Sequence, residues 1–108
     1  MRLERHPLVA QDIEAILAHV LQGTGGDVAA AERRADEIAG LLEAIRSNPL
    51  SGARQGGALG GCLARHGGRG RMITILFEPH PERGVVRILV AFGGQDWMRL
   101  SRGRIPDP

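Results

Sequence analysis

Several residue types are scarce or missing in this chain of 108 residues, and each absence excludes a class of protein or site. Cys62 is the single cysteine, so no disulfide can form within the chain. The histidines, the cysteine and the acids show none of the spacings typical of metal ligands, and we predict neither a metal site nor a cofactor. The apolar runs "MITILF" and "VVRILVAF" are far shorter than the roughly 18 residues of a membrane span.

The start of the chain, "MRLERHPL", lacks the apolar segment of a secretory signal. We therefore expect a cytoplasmic protein that does not contact a membrane. Lysine and tyrosine are absent, and all 14 basic residues are arginine. Because a GC-rich genome also enriches arginine, alanine and glycine, the number of arginines carries no functional argument by itself.

The distribution of charge is more informative. Residues 1–50 hold five arginines against eight acids, whereas residues 51–108 hold nine arginines against four acids. Residues 51–77 contain four arginines and no acid. Such a segment attracts phosphate groups or acidic protein segments, and its affinity for them falls as salt is added. The densest part is "RHGGRGR", residues 65–71.

Hydrophobic periodicity predicts two helices in the first half of the chain, over residues 8–22 and 28–47. Gly23 is placed to end the first helix in a left-handed conformation, and Asp27 is placed to cap the second. The short connection between the helices predicts an antiparallel hairpin. We expect acids such as Asp12 to lie on its outer faces.

Strands are predicted for "MRLERH" and for residues 62–66, 72–77 and 85–92, with a glycine-rich loop over residues 49–61. Strict alternation predicts a core-facing side that consists of Ile73, Ile75, Phe77, Val86, Ile88, Val90 and Phe92. The opposite side then carries Thr74, Leu76, Arg87 and Leu89. That mixed composition predicts a surface partly covered by a partner.

The predicted order of elements is therefore β-α-α-β-β-β in a single domain over residues 1–108. This order predicts an α+β fold in which the helical hairpin packs on one face of a small antiparallel sheet. No repeat or internal linker interrupts it.

This order, with "LARHGGRGRMITILFE" and "VVRILVAFGGQDW", resembles the RelE/ParE superfamily of bacterial toxins from type II toxin–antitoxin pairs. The resemblance covers nearly the whole chain, and the closing turn "FGGQDW" is its best local match. It implies a helical hairpin on one face of the sheet and a basic working face on the other. The tail from about residue 98 is either flexible or reaches the target.

The resemblance implies two alternative activities. ParE-like members inhibit DNA gyrase by binding it and are neutralised by a cognate antitoxin, whereas RelE-like members are ribosome-dependent endoribonucleases that cut messenger RNA. The long hairpin, the "P-x-x-G" passage after the second helix and the "GGxDW" turn favour the ParE-like alternative. If the resemblance is false, the chain is a small α+β interaction domain of another kind.

The resemblance also implies which residues act. The predicted partner-binding residues are Arg65, Arg69, Arg71, Arg87, Gln95, Asp96 and Trp97. Under the nuclease alternative the predicted catalytic residues are Arg65, His66, Arg71 and Asp96. His66 would then be the general base or acid, because arginine stays protonated at neutral pH. Gln95 stands where RelE-like enzymes place an arginine. A plainer interpretation leaves "RHGGRGR" as a solvated turn and His66 as a surface residue.

Overall fold

Two helices pack against one face of a five-stranded sheet in the computed structural model, which describes residues 1–56 and 60–93. The elements are β1 (Arg2–Arg5), α1 (Val9–Gly23), α2 (Val28–Ser47), β2 (Ala53–Arg54), β3 (Leu63–Gly67), β4 (Ile73–His80) and β5 (Val85–Phe92). The predicted α+β class and the order of the elements agree with this arrangement. The two-residue strand β2 is an addition, within the segment predicted to be a loop.

The strands lie in the order β1-β5-β4-β3-β2. Strands β2 to β5 pair with antiparallel neighbours, as expected, whereas β1 runs parallel to β5, with Leu3 aligned to Val86. The sheet is therefore mixed at one edge. A connection that contains two helices and three strands can return the chain parallel to β1, which a hairpin turn cannot do.

The helices lie within one residue of their predicted positions. The carboxylate of Asp27 caps α2 by accepting a hydrogen bond from the Ala30 N–H at 3.1 Å. The predicted left-handed cap at Gly23 is wrong. The Thr24 N–H and hydroxyl both donate to the Val20 carbonyl, which keeps the last turn of α1 closed, and the positive φ angles occur later, at Gly25 and Gly26.

The main core lies between the helices and the sheet. Ile73, Ile75 and Phe77 of β4 are buried in it, as predicted, and α2 contributes apolar residues that include Ile38 and Ile45. These side chains are almost completely removed from water, which is the main source of stability for the helix–sheet arrangement. No helix in the described residues is both long and apolar enough to cross a membrane.

A β-bulge changes the faces of β5. Val86 and Ile88 lie in the main core as predicted, but Val90 and Phe92 belong to a cluster on the opposite side of the sheet. Phe77 pairs with Ile88 and Leu76 pairs with Val90, so that Leu89 is an extra residue on the β5 side. An extra residue reverses the alternation beyond it, and this reversal explains why the sequence prediction for Val90 and Phe92 is wrong.

The sheet face away from the helices carries a second apolar cluster, which consists of Cys62, Ala64, Leu76, Leu89 and Val90. Leu76, Leu89 and Val90 have no exposed surface within the single chain. The expectation that this face is partly covered is confirmed for Leu76 and Leu89, which the chain itself buries. Arg87 lies on the same face and is half-buried.

Asp12 connects the helical layer to the sheet, although the sequence predicts it on an outer face. Its side chain is buried and accepts a hydrogen bond from the Ala91 N–H of β5 at 3.1 Å. A buried carboxylate is tolerated where it is hydrogen-bonded, and here it satisfies a backbone donor near the end of β5.

Candidate functional site

The candidate site is the turn between β3 and β4, which the sequence predicts from its glycines. One turn of 3₁₀ helix, Arg69–Arg71, closes it through a hydrogen bond from the Arg71 N–H to the Gly68 carbonyl at 3.0 Å. Gly68 and Gly70 have φ angles of 74° and 67°, which L-residues with side chains rarely adopt. Arg71 itself has a φ of 57°.

The turn packs closely on the middle of α2. A Cβ atom at Gly68 would lie 2.7 Å from Cδ1 of Ile73 and 2.9 Å from Oε2 of Glu37. At the preceding position, a Cβ atom on Gly67 would lie 2.9 Å from Cδ1 of Leu41. Glycine is therefore needed here for close approach as well as for backbone conformation, and the packing holds the turn in place.

The charge on this turn is uncompensated. Arg69 and Arg71 are exposed and form no ion pair or side-chain hydrogen bond with any described residue. The carboxylate of Glu37 under the turn is already paired with Arg34, with Nη1 and Oε2 3.0 Å apart. Two guanidinium groups are thus available to an anionic partner.

Helix geometry places a third arginine on the side of α2 that meets this turn, and this arginine is absent from the sequence-predicted set. Arg33 is exposed and lies one helical turn before Glu37, on the same face of α2. We call Arg33, Arg69 and Arg71 the basic edge. Sequence alone does not reveal this grouping, because nothing in the α2 pattern indicates which of its faces the distant hairpin turn contacts.

Arg65 lies away from the basic edge. It is aligned with Ile75 on β4, a core residue, and therefore extends from the sheet face that carries the helices. Its Nη1 donates to the Ser51 hydroxyl at 2.6 Å. Arg65 thereby connects β3 to the segment that follows α2, which is a structural role.

His66, the next residue, extends from the opposite face. It is aligned with Thr74, and its Nδ1 lies 2.7 Å from the Thr74 hydroxyl oxygen. Thr74 is buried, whereas His66 is exposed. The sequence analysis does not include Thr74 among the functional residues. Thr74 is the one polar residue in the "MITILF" run, and this could have indicated that its hydroxyl contacts a polar side chain on the neighbouring strand.

Arg87 is also separate from the basic edge. Its cross-strand neighbours are Glu78 on β4 and Glu4 on β1. Five residues along β4 separate Ile73, next to the turn, from Glu78, so Arg87 lies roughly 16 Å along the sheet from the turn. Arg87 is therefore flanked by two acids, Glu4 and Glu78. Glu78 is also in contact with His80, whose Nε2 lies 2.5 Å from its Oε1.

Of the predicted partner-binding residues, the structure brings together Arg69 and Arg71 and separates Arg65 and Arg87 from them. Gln95, Asp96 and Trp97 lie outside the described residues. Within the described ranges, no group of three or more histidine, cysteine, aspartate or glutamate side chains is placed to hold a metal ion.

An apolar groove of about 320 Å³ adjoins the basic edge. It lies between α1 and the adjoining ends of β4 and β5, and its lining includes Ile16, Val20, Met72 and Phe92. Arg34 also lines it, next to the helix position of Arg33. The lining also includes Asp12, and Arg34 within it is paired with Glu37. A mainly apolar depression whose lining residue Met72 directly follows the exposed Arg71 suits an amphipathic segment better than a small neutral molecule.

No family model, curated protein or solved structure matches this chain at a significant level.

Proposed function

We propose that this chain is a ParE-like toxin of a bacterial type II toxin–antitoxin pair. It acts in the cytoplasm, where it binds DNA gyrase and arrests growth until a cognate antitoxin neutralises it. The observation that carries the proposal is the exposed pair Arg69 and Arg71, which has no charged partner in residues 1–56 and 60–93, on a closely packed glycine turn beside an apolar groove. This is a surface for binding a protein segment.

The antitoxin segment that fits this surface is acidic and amphipathic. A guanidinium group can hold a carboxylate through two parallel hydrogen bonds, and two unpaired guanidinium groups on one turn select a segment with closely spaced acids. Apolar side chains on the other face of that segment would enter the groove beside Met72. Because the arginines are exposed, the affinity should fall as salt is added.

The positions of Arg65 and His66 favour binding over cleavage. RNA cleavage requires a base, an acid and cations grouped around one phosphate. Here Arg65 and His66 lie on opposite faces of the sheet, and Arg65 is occupied by Ser51. Two of the four residues of the nuclease alternative therefore do not converge on one phosphate.

One observation favours the nuclease as a second candidate. The contact between Nδ1 of His66 and the Thr74 hydroxyl orients the ring, and Nε2 is left without a partner among the described residues. A histidine held in this way, on the strand that leads into the turn of Arg69 and Arg71, has the chemistry of a general base or acid.

The deciding experiment measures inhibition of gyrase supercoiling by the purified chain, with the cognate antitoxin re-added as the control. We expect inhibition that the antitoxin reverses. The variant Arg69→Glu/Arg71→Glu should lose at least tenfold in antitoxin affinity, since two attractive contacts become repulsive. The control is Arg83→Glu, an exposed arginine in the one-turn 3₁₀ helix at the other end of the sheet.

Other outcomes assign a different function. Full antitoxin affinity in the double variant would contradict a binding role for the basic edge. Cleavage of messenger RNA on translating ribosomes that is lost in His66→Ala, without gyrase inhibition, would establish the second candidate. A chain that neither inhibits gyrase nor cleaves RNA would be an interaction domain of another kind.

A further inference from the structure

Among the described residues, strand β1 pairs with another strand on only one side of its backbone. The Arg2 N–H donates to the Gly84 carbonyl at 3.1 Å and the His6 N–H to the Ile88 carbonyl at 2.8 Å. In a parallel ladder, alternate residues bond to the same neighbour, so Arg2, Glu4 and His6 face β5. Leu3 and Arg5 therefore direct their N–H and C=O groups outward. Since β1 is an edge of the sheet, these groups can pair with another strand.

The side chains of β1 are also arranged for pairing. Leu3 packs against the main core, on the side of the helices. Arg2 and Glu4 lie on the other face, with 72% and 40% of their side chains exposed, and their charged groups are 3.0 Å apart. Strand β1 thus carries Leu3 and Arg5 on the face of the helices and two opposite charges, Arg2 and Glu4, on the other face.

We propose that two copies of this chain pair antiparallel through β1, around a two-fold axis at Leu3. Leu3 of one copy then lies opposite Leu3 of the second copy, and the two sheets become continuous. The inference concerns the assembly of the chain and is independent of its proposed activity. A second copy is the natural occupant, because a two-fold axis makes the surface complementary to itself.

Charge selects this register among the possible ones. Only outward-facing residues can exchange backbone hydrogen bonds, so the alternatives differ by steps of two residues. A shift in one direction places Glu4 opposite Glu4, and a shift in the other places Arg2 opposite Arg2. The register with Leu3 opposite Leu3 instead places Arg2 of each copy opposite Glu4 of the other copy. Opposite charges across a strand pair are favourable, whereas like charges are not.

The apolar face supports the same register. A groove of about 250 Å³ lies under β1, and its lining includes Leu3, Ile13, Ile38 and Leu42. In a hydrogen-bonded antiparallel pair the Cα atoms are about 5.5 Å apart, so Leu3 of the second copy would lie next to Leu3 at the mouth of this groove. Pairing therefore removes apolar surface from water on one face and joins charges on the other.

Sedimentation equilibrium over a concentration series, up to about 1 mM, tests the proposal, because a short strand edge is a small interface that gives weak association. We expect the mass to rise from 11.6 kDa towards twice that value. Glu4→Arg and Arg2→Glu should each be monomeric, since each places like charges opposite one another. An equal mixture of the two variants should associate again, because one edge is then doubly positive and the other doubly negative.

The mixture also controls for folding, since unfolded variants would not regain association. Arg54→Glu reverses a charge on β2, the other edge of the sheet, and should leave the wild-type mass unchanged. A wild-type chain that stays monomeric throughout would overturn the proposal. So would a dimer that persists in both single variants, a mixture that stays monomeric, or a dimer that Arg54→Glu dissociates.

Discussion

At the scale of single residues, Arg71 combines a strained backbone with a side chain of the proposed binding surface. A φ of 57° places it in the left-handed region, which costs a non-glycine residue about 1–2 kcal/mol. Backbone strain of this kind persists where the surrounding structure enforces it and is concentrated at functional sites. We interpret the strain at Arg71 as the cost of directing its guanidinium group outward from the β3–β4 turn.

Replacement of Arg71 should therefore change stability and binding in opposite directions. Arg71→Gly relieves the strain but adds flexibility to the unfolded chain, and we expect a net gain of up to about 1 kcal/mol in the free energy of unfolding. Antitoxin affinity should fall, because one guanidinium is lost. Urea unfolding and titration calorimetry measure the two effects.

Arg69→Gly is the matched control, because Arg69 has no positive φ. It should lower the free energy of unfolding by about 0.5 kcal/mol or more and also lower antitoxin affinity. A loss of stability in Arg71→Gly as large as in Arg69→Gly would contradict the strain at Arg71.

The residue scale also separates what sequence can predict from what it cannot. Strand alternation alone places Arg65 and His66 on opposite faces, so their separation could have been predicted from adjacent positions in one strand. The burial of Asp12 could not, because its partner is the Ala91 N–H, 79 residues later. A helical pattern says which residues share a face, and it does not say which distant backbone group meets that face.

At the scale of elements, two glycines in similar turns differ in their surroundings. Gly68 has a φ of 74° and closely contacts Ile73 and Glu37, whereas Gly84, with a φ of 66° between β4 and β5, has open space around it. Gly84→Ala should cost about 1 kcal/mol in the free energy of unfolding, from backbone strain alone. Gly68→Ala should cost about 2–4 kcal/mol, because its ψ of −178° places it in a region essentially restricted to glycine, and overlap with Ile73 and Glu37 adds to that greater strain.

Urea unfolding of both alanine variants measures this difference. Equal losses in the two variants would contradict both the greater backbone strain at Gly68 and its close contact with Ile73 and Glu37.

Helices and strand pairs differ in how far sequence predicts them. The limits of α2 follow from local signals, namely the cap at Asp27 and the proline after Asn48, and the structure confirms them. The bulge at Leu89 depends on how β5 pairs with β4, and no pattern within one strand contains that information. The sheet face predicted for Val90 and Phe92 is therefore wrong, although the predicted limits of β5 are confirmed.

At the scale of the whole molecule, one sheet separates two apolar clusters. Cys62 belongs to the second cluster, on the face away from the helices, and its reactivity measures how closed that cluster is. The thiol is almost completely buried. Burial, and to a smaller extent the negative charge of Glu78, raises the pKa of Cys62 from 9.0 to about 11. A difference of two pKa units lowers the thiolate fraction at pH 8 about 100-fold, before restricted access is considered.

We expect Cys62 to react with a thiol reagent at pH 8 at least about 100-fold more slowly in the folded chain than in urea. Because the folded chain keeps its proton to higher pH, this group lowers the free energy of unfolding as pH rises from about 9 to 11, and has no such effect below that window. Equal labelling rates with and without urea would show that the second cluster is open. Cys62→Ala should abolish the pH effect that arises from this group.

The parallel pairing of β1 with β5 has a consequence for synthesis. Arg2 pairs with Val85, more than eighty residues later, so β1 cannot pair until β5 has been synthesised. The helical hairpin can form locally as it leaves the ribosome, but strand closure is a late and entropically costly step. During translation the nascent chain therefore carries an incomplete sheet with an exposed apolar edge, and folding chaperones have their clearest opportunity to act at this stage.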